Sequence, residues 1–338
     1  MNRRGFITSL AAGTSTVLAG QTASGAASGK PEKTDSLGPL LPQRILGRTG
    51  EKVTLLGIGG YHVGWTTEKD AAAVIEEALE GGIRFFDTAE SYQSGESERR
   101  YGKYLTPKYR EAVFLMTKTT APDAATARRH LEESLKRLRT DYLDLWQIHS
   151  LRDPDDVDQR LEAGVLEVVL KAKEEGKIRY AGFTGHSNPE AHLRILERTE
   201  SESPFDASQM PVNVIDPAYH SFTEQVIPEL RRRNIGLLAM KTLADGRFFG
   251  TKRMAGRVVW RSDDPAIPGR LSIRDAMHFA WALPISVLIT GAENASLVRE
   301  KVDFARTFSG MDASMRQQLV EAVADLADGK VEYYKRPI

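Results

Sequence analysis

The sequence predicts a (β/α)8 barrel with an N-terminal β-hairpin and an extra C-terminal helix. Short apolar runs alternate eight times with segments of helical periodicity, and 338 residues suffice for one barrel of roughly 250 residues plus additions. Asp87, Lys118 and His149 each end one of these runs, and the same number of residues separates each from the next. Because parallel strands that alternate with helices end at one face, we expect these three side chains to meet at the carboxyl face of the barrel.

The first 42 residues are predicted to be a leader and a linker, and the barrel is predicted over residues 43–338. Arg3-Arg4 with Phe6-Ile7 precedes an apolar stretch and an Ala/Ser/Gly-rich segment to Ser28, a pattern that resembles a twin-arginine (Tat) export signal. The pattern predicts the Tat export machinery as a partner and a periplasmic or extracytoplasmic location. If these residues are instead a disordered tail, the protein is cytoplasmic. No later run reaches the roughly 18 apolar residues of a membrane span, so no stable membrane anchor is expected.

The strands follow in order along the barrel segment. Two apolar runs around a Gly-Arg-Thr-Gly turn predict a hairpin over Arg44–Leu56, whose second arm continues into the first barrel strand. The eight strands are predicted at Val53–Gly59, Ile83–Asp87, Val113–Lys118, Tyr142–His149, Ile178–Thr184, Ala207–Val212, Ile235–Thr242 and Ser286–Thr290. Each is a mainly apolar run of strand length, as expected of a strand that is buried on both faces.

Helical periodicity and end signals place the helices between these strands. Gly81-Gly82 and Gly176 end two of them, and Pro189 suits the first turn of another. The helices are predicted at Glu68–Leu79, Glu96–Leu105, Asp123–Leu138, Leu161–Glu175, Pro189 through Leu196, Thr223–Arg233, Ile273–Ala282, Ala295–Thr307 and, beyond the barrel, Ala313–Leu326. Residues Ala244–Arg270 show no clear periodicity and are predicted to be a lid or binding loop.

Composition restricts the chemistry that the chain can perform. Lys+Arg and Asp+Glu both total 46, so no net field would attract nucleic acid or an anionic membrane, and a neutral or small polar ligand is expected. The chain has no cysteine, which excludes disulfides, thiolate metal sites and a thiol nucleophile. His62, His186 and His220 form no ligand pair on one helix face, so no metal site is predicted.

Asp87, Tyr92, Lys118 and His149 are the candidate catalytic residues. A phenol ordinarily has a pKa of about 10, which is high for a proton donor at neutral pH. An ammonium about 4 Å away, at an effective dielectric near 20, supplies on the order of 4 kcal/mol, which would lower the phenol pKa to no less than about 7. Asp87 would keep Lys118 protonated, and His149 would hydrogen-bond a carbonyl oxygen. These residues supply no electrons, so the set requires a hydride-donating cofactor.

Several segments around these residues keep a common order and spacing from about Gln43 to Phe308. They are Phe86-Asp-Thr-Ala-Glu-Ser-Tyr92, Gly95-Glu-Ser-Glu98, Lys118, Tyr142-Leu-Asp-Leu-Trp-Gln-Ile-His149, Tyr180-Ala-Gly-Phe-Thr184, Gln209 and Ile289-Thr-Gly-Ala292. Together they resemble the aldo-keto reductase family. The resemblance implies a (β/α)8 barrel that binds NADP(H) extended across its carboxyl face. It also implies that Tyr92 is the general acid/base, assisted by Lys118, Asp87 and His149, in 4-pro-R hydride transfer to a small-molecule aldehyde or ketone.

The same resemblance implies where the cofactor binds. Gln209 resembles the residue that hydrogen-bonds the nicotinamide carboxamide, and Thr184 the hydroxyl before it, although Gly185-His186 follows where many relatives have an asparagine. Met240 replaces the aromatic residue that usually stacks on the nicotinamide, and a thioether can cover a ring face. The other candidate contacts are Gly60 and Tyr61 toward the ribose and nicotinamide, Lys241 and Gly291 toward the phosphates, and Arg299 or Lys301 toward a 2′-phosphate.

The choice of nicotinamide stays open between NADP(H), which is favoured, and NAD(H). Leu297 occupies the position where relatives often place an arginine for the 2′-phosphate, although Arg299 or Lys301 could compensate. Glu293 could instead accept a hydrogen bond from a 2′-hydroxyl.

Other interpretations compete with the reductase. Met240 and Gly185-His186 leave open a cofactor-binding redox sensor or interaction subunit with little catalysis, like the potassium-channel β subunits. A sugar-modifying barrel enzyme without an external cofactor is a further alternative. Gly57-Ile-Gly-Gly-Tyr-His62 hints at a dinucleotide-binding glycine motif, but a histidine stands where the third glycine is required.

Three features bear on the walls of the site. Trp65 is expected to wall the substrate pocket. The basic residues of the long connection are expected either to be solvated or to cover cofactor phosphates; they are Arg247, Lys252, Arg253 and Arg257. The short C-terminus, Val331 to Ile338, is expected to leave the pocket open.

Overall fold

Eight parallel strands form a closed barrel, which confirms the predicted fold class. The computed structural model describes residues 33–249, 251–254, 257–261 and 269–335. The barrel strands are β1 (Leu56–Gly59), β2 (Phe85–Asp87), β3 (Phe114–Thr119), β4 (Leu143–Ile148), β5 (Ile178–Thr184), β6 (Ala207–Pro211), β7 (Gly236–Met240) and β8 (Val287–Thr290). Each strand pairs with the one before it in the chain, and β8 pairs with β1 to close the ring.

Apolar side chains fill the interior of the barrel. Phe85, Phe114, Met116 and Leu238 belong to one buried cluster, in which the rings of Phe85 and Phe114 stack with centroids 4.9 Å apart. Leu46, which follows the first arm of the predicted hairpin, belongs to the same cluster and packs on the start of β7. The hairpin therefore closes the amino end of the barrel, and the carboxyl end is left to carry the site.

Helices cover the outside of the barrel. They are α1 (Gly60–Trp65), α2 (Glu68–Glu80), α3 (Glu96–Tyr104), α4 (Thr106–Tyr109), α5 (Ala124–Leu138), α6 (Pro154–Glu162), α7 (Val165–Glu174), α8 (Pro189–Arg198), α9 (Phe222–Arg232), α10 (Ile273–Ala282), α11 (Ala295–Thr307) and α12 (Ala313–Glu321). Side-chain caps begin many of them: Asp123 accepts a hydrogen bond from the Thr126 N–H at α5, and Asn294 from the Leu297 N–H at α11. Trp146 on β4 lies wholly buried in the core between helices and strands.

Two of the predicted helices differ from the structure. The range predicted as one helix, 161–175, contains only the last two residues of α6 and all of α7, and Gly164 between the two helices has a φ of 78°. That left-handed conformation interrupts an α-helix and favours glycine. The last helix ends at Glu321 and not at Leu326, which belongs to a separate 3₁₀ turn over Ala324–Leu326.

The folded chain already has structure within the segment predicted as a linker. Thr34–Asp35 pairs with Gly38–Pro39 in a short antiparallel hairpin, and Asp35 accepts a 2.8 Å ion-pair hydrogen bond from Arg84 at the start of β2. The core of the predicted export leader falls in residues 1–32, which lie outside the described residues. In the described ranges, no helix is both long enough and apolar enough to cross a membrane.

The long connection between β7 and α10 contains regular structure that its sequence did not predict. Residues Ala244–Phe249 form a kinked 3₁₀ segment, and Thr251–Met254 pairs antiparallel with Arg257–Arg261. The predicted roles of Lys252, Arg253 and Arg257 rest on side chains that lie outside the described part of the structure.

Candidate active site

A cavity of about 550 Å³ opens at the carboxyl face of the barrel. Every barrel strand contributes a residue from its carboxyl half or just beyond it: Gly59, Asp87, Lys118, His149, Thr184, Gln209, Met240 and Thr290. Residues from the connecting segments complete the walls: Tyr61, His62, Trp65, Tyr92, His186, Lys241, Asp245 and Tyr333. Across the described ranges, no group of three or more His, Asp or Glu side chains is arranged to hold a metal ion.

The four predicted catalytic residues come together around Lys118. Its Nζ donates hydrogen bonds to Asp87 Oδ1 at 2.5 Å, to the Thr88 carbonyl at 2.7 Å and to the Tyr92 hydroxyl at 3.2 Å. The His149 ring lies edge-on to the Tyr92 ring, with centroids 5.8 Å apart. Equal spacing along the chain thus corresponds to neighbouring strand ends in space, as the sequence predicted.

Burial and charge act in opposite directions on the ion pair. Burial raises the pKa of Asp87 above its ordinary value, although Lys118 lowers it. Burial lowers the pKa of Lys118, but Asp87 and Tyr92 more than offset this, and the Lys118 pKa is raised. Because the two groups are in direct contact and each favours the charged form of the other, we assign an ammonium at Lys118 and a carboxylate at Asp87.

The pKa of Tyr92 is raised, not lowered as the sequence argument expected. Burial has the largest effect and outweighs the attraction of Lys118, while Asp87 raises the pKa further. The hydroxyl of Tyr92 is therefore protonated at neutral pH and has a hydrogen to donate. Burial and the positive charge of Lys118 lower the pKa of His149 well below its ordinary value, so its imidazole is neutral.

Gln209, Thr184 and Met240 lie on the side of the cavity formed by β5, β6 and β7. Gln209 is opposite Thr184 in the strand pairing and is 2% exposed. Among the described residues, nothing donates a hydrogen bond to Gln209 Oε1. A buried amide oxygen without a donor fits a ligand that presents an N–H, as the carboxamide of a nicotinamide does.

The cavity also reaches the start of α11. Lys301 is 5% exposed there and donates a 2.5 Å hydrogen bond to the Gly291 carbonyl. Burial lowers the pKa of Lys301 to about 8, although Glu300 and Glu293 act to raise it. A Cβ on Gly291 would lie 2.0 Å from His62 Nδ1, so any larger residue here would displace the His62 ring.

Two predicted cofactor contacts lie outside the cavity. Gly60 packs on β2 and α3, where a Cβ would lie 2.5 Å from the Asp87 carbonyl and 2.5 Å from Ser97 Oγ, and its neighbour Gly59 lines the cavity instead. Arg299 is on the outer surface of α11, where its guanidinium donates to Glu77 of α2 at 3.1 Å. The remaining predicted contacts do line the cavity: Tyr61, Thr184, Gln209, Met240, Lys241, Gly291 and Lys301.

The C-terminus contributes to the cavity wall, which its sequence did not predict. Tyr333 lines the cavity, and its hydroxyl donates to Asp245 Oδ2 at 2.7 Å. The expectation that the short C-terminus leaves the pocket open is therefore wrong, because Tyr333 forms part of the wall. The adjacent tyrosines 333 and 334 were a possible signal, but they lie in a three-residue 3₁₀ turn that has no detectable periodicity.

Known proteins share this architecture. An uncharacterized oxidoreductase of Bacillus subtilis (strain 168), YrpG, is 31% identical over 320 residues, which are 84% of this chain and 95% of that protein. L-galactose dehydrogenase of Arabidopsis thaliana is 27% identical over 315 residues, 83% of this chain and 94% of that enzyme. The holo form of aldo-keto reductase AKR11C1 from Bacillus halodurans superposes with a TM-score of 0.67 at 24% identity, covering 84% of this chain and 96% of the other.

A Klebsiella pneumoniae aldo-keto reductase in complex with NADPH has a TM-score of 0.66 at 20% identity, with 84% of this chain and 96% of the other covered. Both superpositions show the same fold. The sequence model of the Aldo/keto reductase family matches residues 55–311, which include all four candidate catalytic residues. The chain therefore belongs to the aldo/keto reductase family of oxidoreductases.

Proposed function

We propose that this protein is an NAD(P)H-dependent reductase of aldehydes or ketones in which Tyr92 gives a proton to the carbonyl oxygen. The observation that supports this most directly is the contact of Lys118 Nζ with both Asp87 and the Tyr92 hydroxyl at the cavity wall. Membership of an oxidoreductase family supports the reaction class.

Tyr92, Lys118 and His149 would each have a different role in protonating the carbonyl oxygen. Reduction adds a hydride to the carbonyl carbon and a proton to the carbonyl oxygen, and a bound nicotinamide would supply the hydride. Tyr92 is protonated and supplies the proton, which leaves a phenolate that the Lys118 ammonium stabilises. Neutral His149 holds the carbonyl oxygen by a hydrogen bond, and the proton of Tyr92 is restored from solvent through the open cavity.

Residues on two sides of the cavity would hold the cofactor. Gln209 Oε1 would accept a hydrogen bond from the carboxamide, and the Met240 thioether would cover one face of the nicotinamide ring. Lys241 and Lys301 would meet the phosphates. We favour NADP(H), since a Klebsiella aldo-keto reductase of the same fold was solved in complex with NADPH. Glu293 beside Lys301 is the feature that would favour NAD(H).

Replacing the proton donor tests the proposal. In Tyr92→Phe, we expect aldehyde reduction to fall at least about 100-fold, since general acid catalysis contributes that much or more. The affinities for NADPH and NADH, measured by the quenching of tryptophan fluorescence, should be unchanged. Tyr104→Phe is the matched control, because Tyr104 bonds Glu68 outside the cavity. Unchanged turnover in Tyr92→Phe would refute the role of Tyr92, and a wild-type protein that binds cofactor without turnover would favour the redox-sensor alternative.

We further propose that the protein acts outside the cytoplasm after Tat export. The support is the Arg3-Arg4 pattern ahead of an apolar segment. Changing both arginines to lysine in a host with a Tat system should retain the protein in the cytoplasmic fraction. An unaltered distribution between cytoplasm and periplasm would disprove export by this route.

A further inference from the structure

The last described residues of the chain form contacts with the connection that follows β7. Tyr333 donates to Asp245, the Arg247 guanidinium lies 4.1 Å from the centroid of the Tyr333 ring, and Arg247 donates to the Lys330 carbonyl at 3.3 Å. The C-terminal segment, defined here as residues 327–335, and the turn over Ala244–Phe249 therefore hold each other at the edge of the cavity.

A buried group of charges secures the end of this segment. Lys335 Nζ donates to Asp216 at 2.6 Å, to Glu332 at 2.9 Å and to the Tyr219 carbonyl at 2.8 Å, and all three charged side chains are 0% exposed. Asp216 is itself fixed to the first turn of α9, since it accepts hydrogen bonds from the backbone N–H groups of Phe222 and Thr223. The proposed reductase mechanism uses none of these residues.

The C-terminal segment depends on this group for its position. Residues Tyr333–Lys335 form a single 3₁₀ turn, which is too short to be stable alone. Removing the Lys335 ammonium would leave the carboxylates of Asp216 and Glu332 together and buried, which is strongly unfavourable. Lys335 therefore anchors the turn that carries Tyr333, in addition to the direct contacts of Tyr333 with Asp245 and Arg247.

We propose that Tyr333 is a specificity-determining residue of the substrate site and that Lys335 is the positioning residue that holds it there. The inference rests on the proposed reductase function. Tyr61 lies edge-on to the catalytic Tyr92 with centroids 5.5 Å apart, and Tyr333 lines the same cavity. A flat aromatic aldehyde gains ring contacts with such walls, whereas a short aliphatic aldehyde gains little. The enzyme therefore prefers aldehydes that carry a ring.

Kinetics with a pair of substrates test the role of Tyr333. We expect Tyr333→Ala to lower kcat/KM for 4-nitrobenzaldehyde about tenfold, mainly through KM, and to change kcat/KM for propanal less than about twofold. Tyr333→Phe keeps the ring and should retain the preference to within about threefold. Lys335→Met should lower the preference as Tyr333→Ala does. Lys330→Met is the matched control, because Lys330 is an exposed lysine in the same segment, and it should match the wild type. Unchanged preference in Tyr333→Ala or Lys335→Met would overturn the proposal.

Hydrogen exchange tests the positioning role without turnover. Backbone amides of residues 327–335 should exchange at least about tenfold faster in Lys335→Met than in wild type, while the amides of β3 and β4 stay protected and so report an intact barrel. Lys330→Met should exchange like the wild type. Equal exchange in Lys335→Met and wild type would refute the positioning role. If the wild type reduces no aldehyde, the proposed function and the role of Tyr333 both fail, and the exchange result still decides the role of Lys335.

Discussion

Gln147 on β4 and Gln209 on β6 are buried glutamines on the two strands that flank β5. Substitutions of these two residues can therefore be compared with each other. Within the described residues, both have amide atoms without a hydrogen-bond partner, but only Gln209 lines the cavity. Gln209→Leu would leave the carboxamide of a bound nicotinamide without its acceptor, at a cost of about 1 to 3 kcal/mol. We therefore expect the Kd for NADPH to rise roughly 5- to 150-fold, as measured by fluorescence titration.

The control for that experiment is Gln147→Leu. Because Gln147 lies outside the cavity, the Kd of this variant should stay within about twofold of wild type, and its stability should not fall, since an unpartnered buried amide is replaced by an apolar side chain. Equal effects of the two substitutions on the Kd would contradict a specific contact at Gln209.

Tyr92 illustrates which residue properties a sequence predicts. Strand ends and equal spacing predicted that Asp87, Lys118 and His149 meet, and the family resemblance implied that Tyr92, five residues after Asp87, joins them. Lys118 Nζ lies 3.2 Å from the Tyr92 hydroxyl. The direction of the Tyr92 pKa shift could not be predicted from the attraction of one ammonium alone, because desolvation acts in the opposite direction. Removing a charge from water costs several kcal/mol, which is comparable with the attraction of about 4 kcal/mol, and here burial is the larger effect.

Arg299 and Lys301 illustrate a different limit. They lie two residues apart on α11, so they point to different sides of the helix, and only one can face the cavity. Lys301 faces it, whereas Arg299 pairs with Glu77 of α2. Because both residues are basic and close in sequence, either could have been assigned to a phosphate. Only the packing of α11 against α2 determines which of them faces the cavity.

Whether α6 and α7 are separate helices can be tested by substituting Gly164, because the free energy of unfolding should change in opposite directions in the two cases. Gly164 has a φ of 78°, and an L-residue in this region costs roughly 1 to 2 kcal/mol. Gly164→Ala should therefore lower the free energy of unfolding by about that amount, as measured by urea denaturation. In a single continuous helix, as the sequence predicted, the same substitution would raise it by about 1 kcal/mol.

The exposed Glu162, at the end of α6, supplies the control for Gly164→Ala. Glu162→Ala should change the free energy of unfolding by less than about 0.5 kcal/mol. A stabilised Gly164→Ala variant would show that the two helices are joined in solution.

The regular elements were more predictable than the segments between them. The predicted range of β5 and that of α11 are reproduced in the structure, because apolar periodicity and the cap Asn294 fix their ends. The C-terminal segment was not predicted, since its position comes from the contacts of Lys335 with residues more than a hundred positions away. Long-range pairs of this kind leave no local pattern in the sequence.

The folded molecule keeps several histidines neutral, which makes its stability depend on pH. Burial lowers the pKa of His186 to about 4, that of His192 to about 3 and that of His149 well below its ordinary value. In the unfolded chain these groups take up protons near pH 6.5, so below that pH the unfolded state binds more protons than the native state. The contribution of these histidines to the free energy of unfolding should therefore be complete above about pH 6.5 and should decrease as the pH falls below it.

The expected loss between pH 7.5 and pH 5 is about 2 kcal/mol for each such histidine, measured by urea denaturation across this range. His192→Gln should remove one of these contributions and flatten the dependence accordingly. The exposed His220 is the matched control, and His220→Gln should leave the slope as it is in wild type. A free energy of unfolding that rises toward pH 5 would contradict the assignment of buried neutral histidines.

The pairing of β8 with β1 has a consequence for biosynthesis. The free edge of β1 emerges from the ribosome early, and its last partner is made only when most of the chain has been translated. Until then the nascent sheet carries an unsatisfied row of backbone amides and carbonyls, which is the kind of edge that promotes misassembly. Ring closure must therefore come late, after β8 has been made, and the growing polypeptide carries an edge that is open to self-association for most of the synthesis of the barrel.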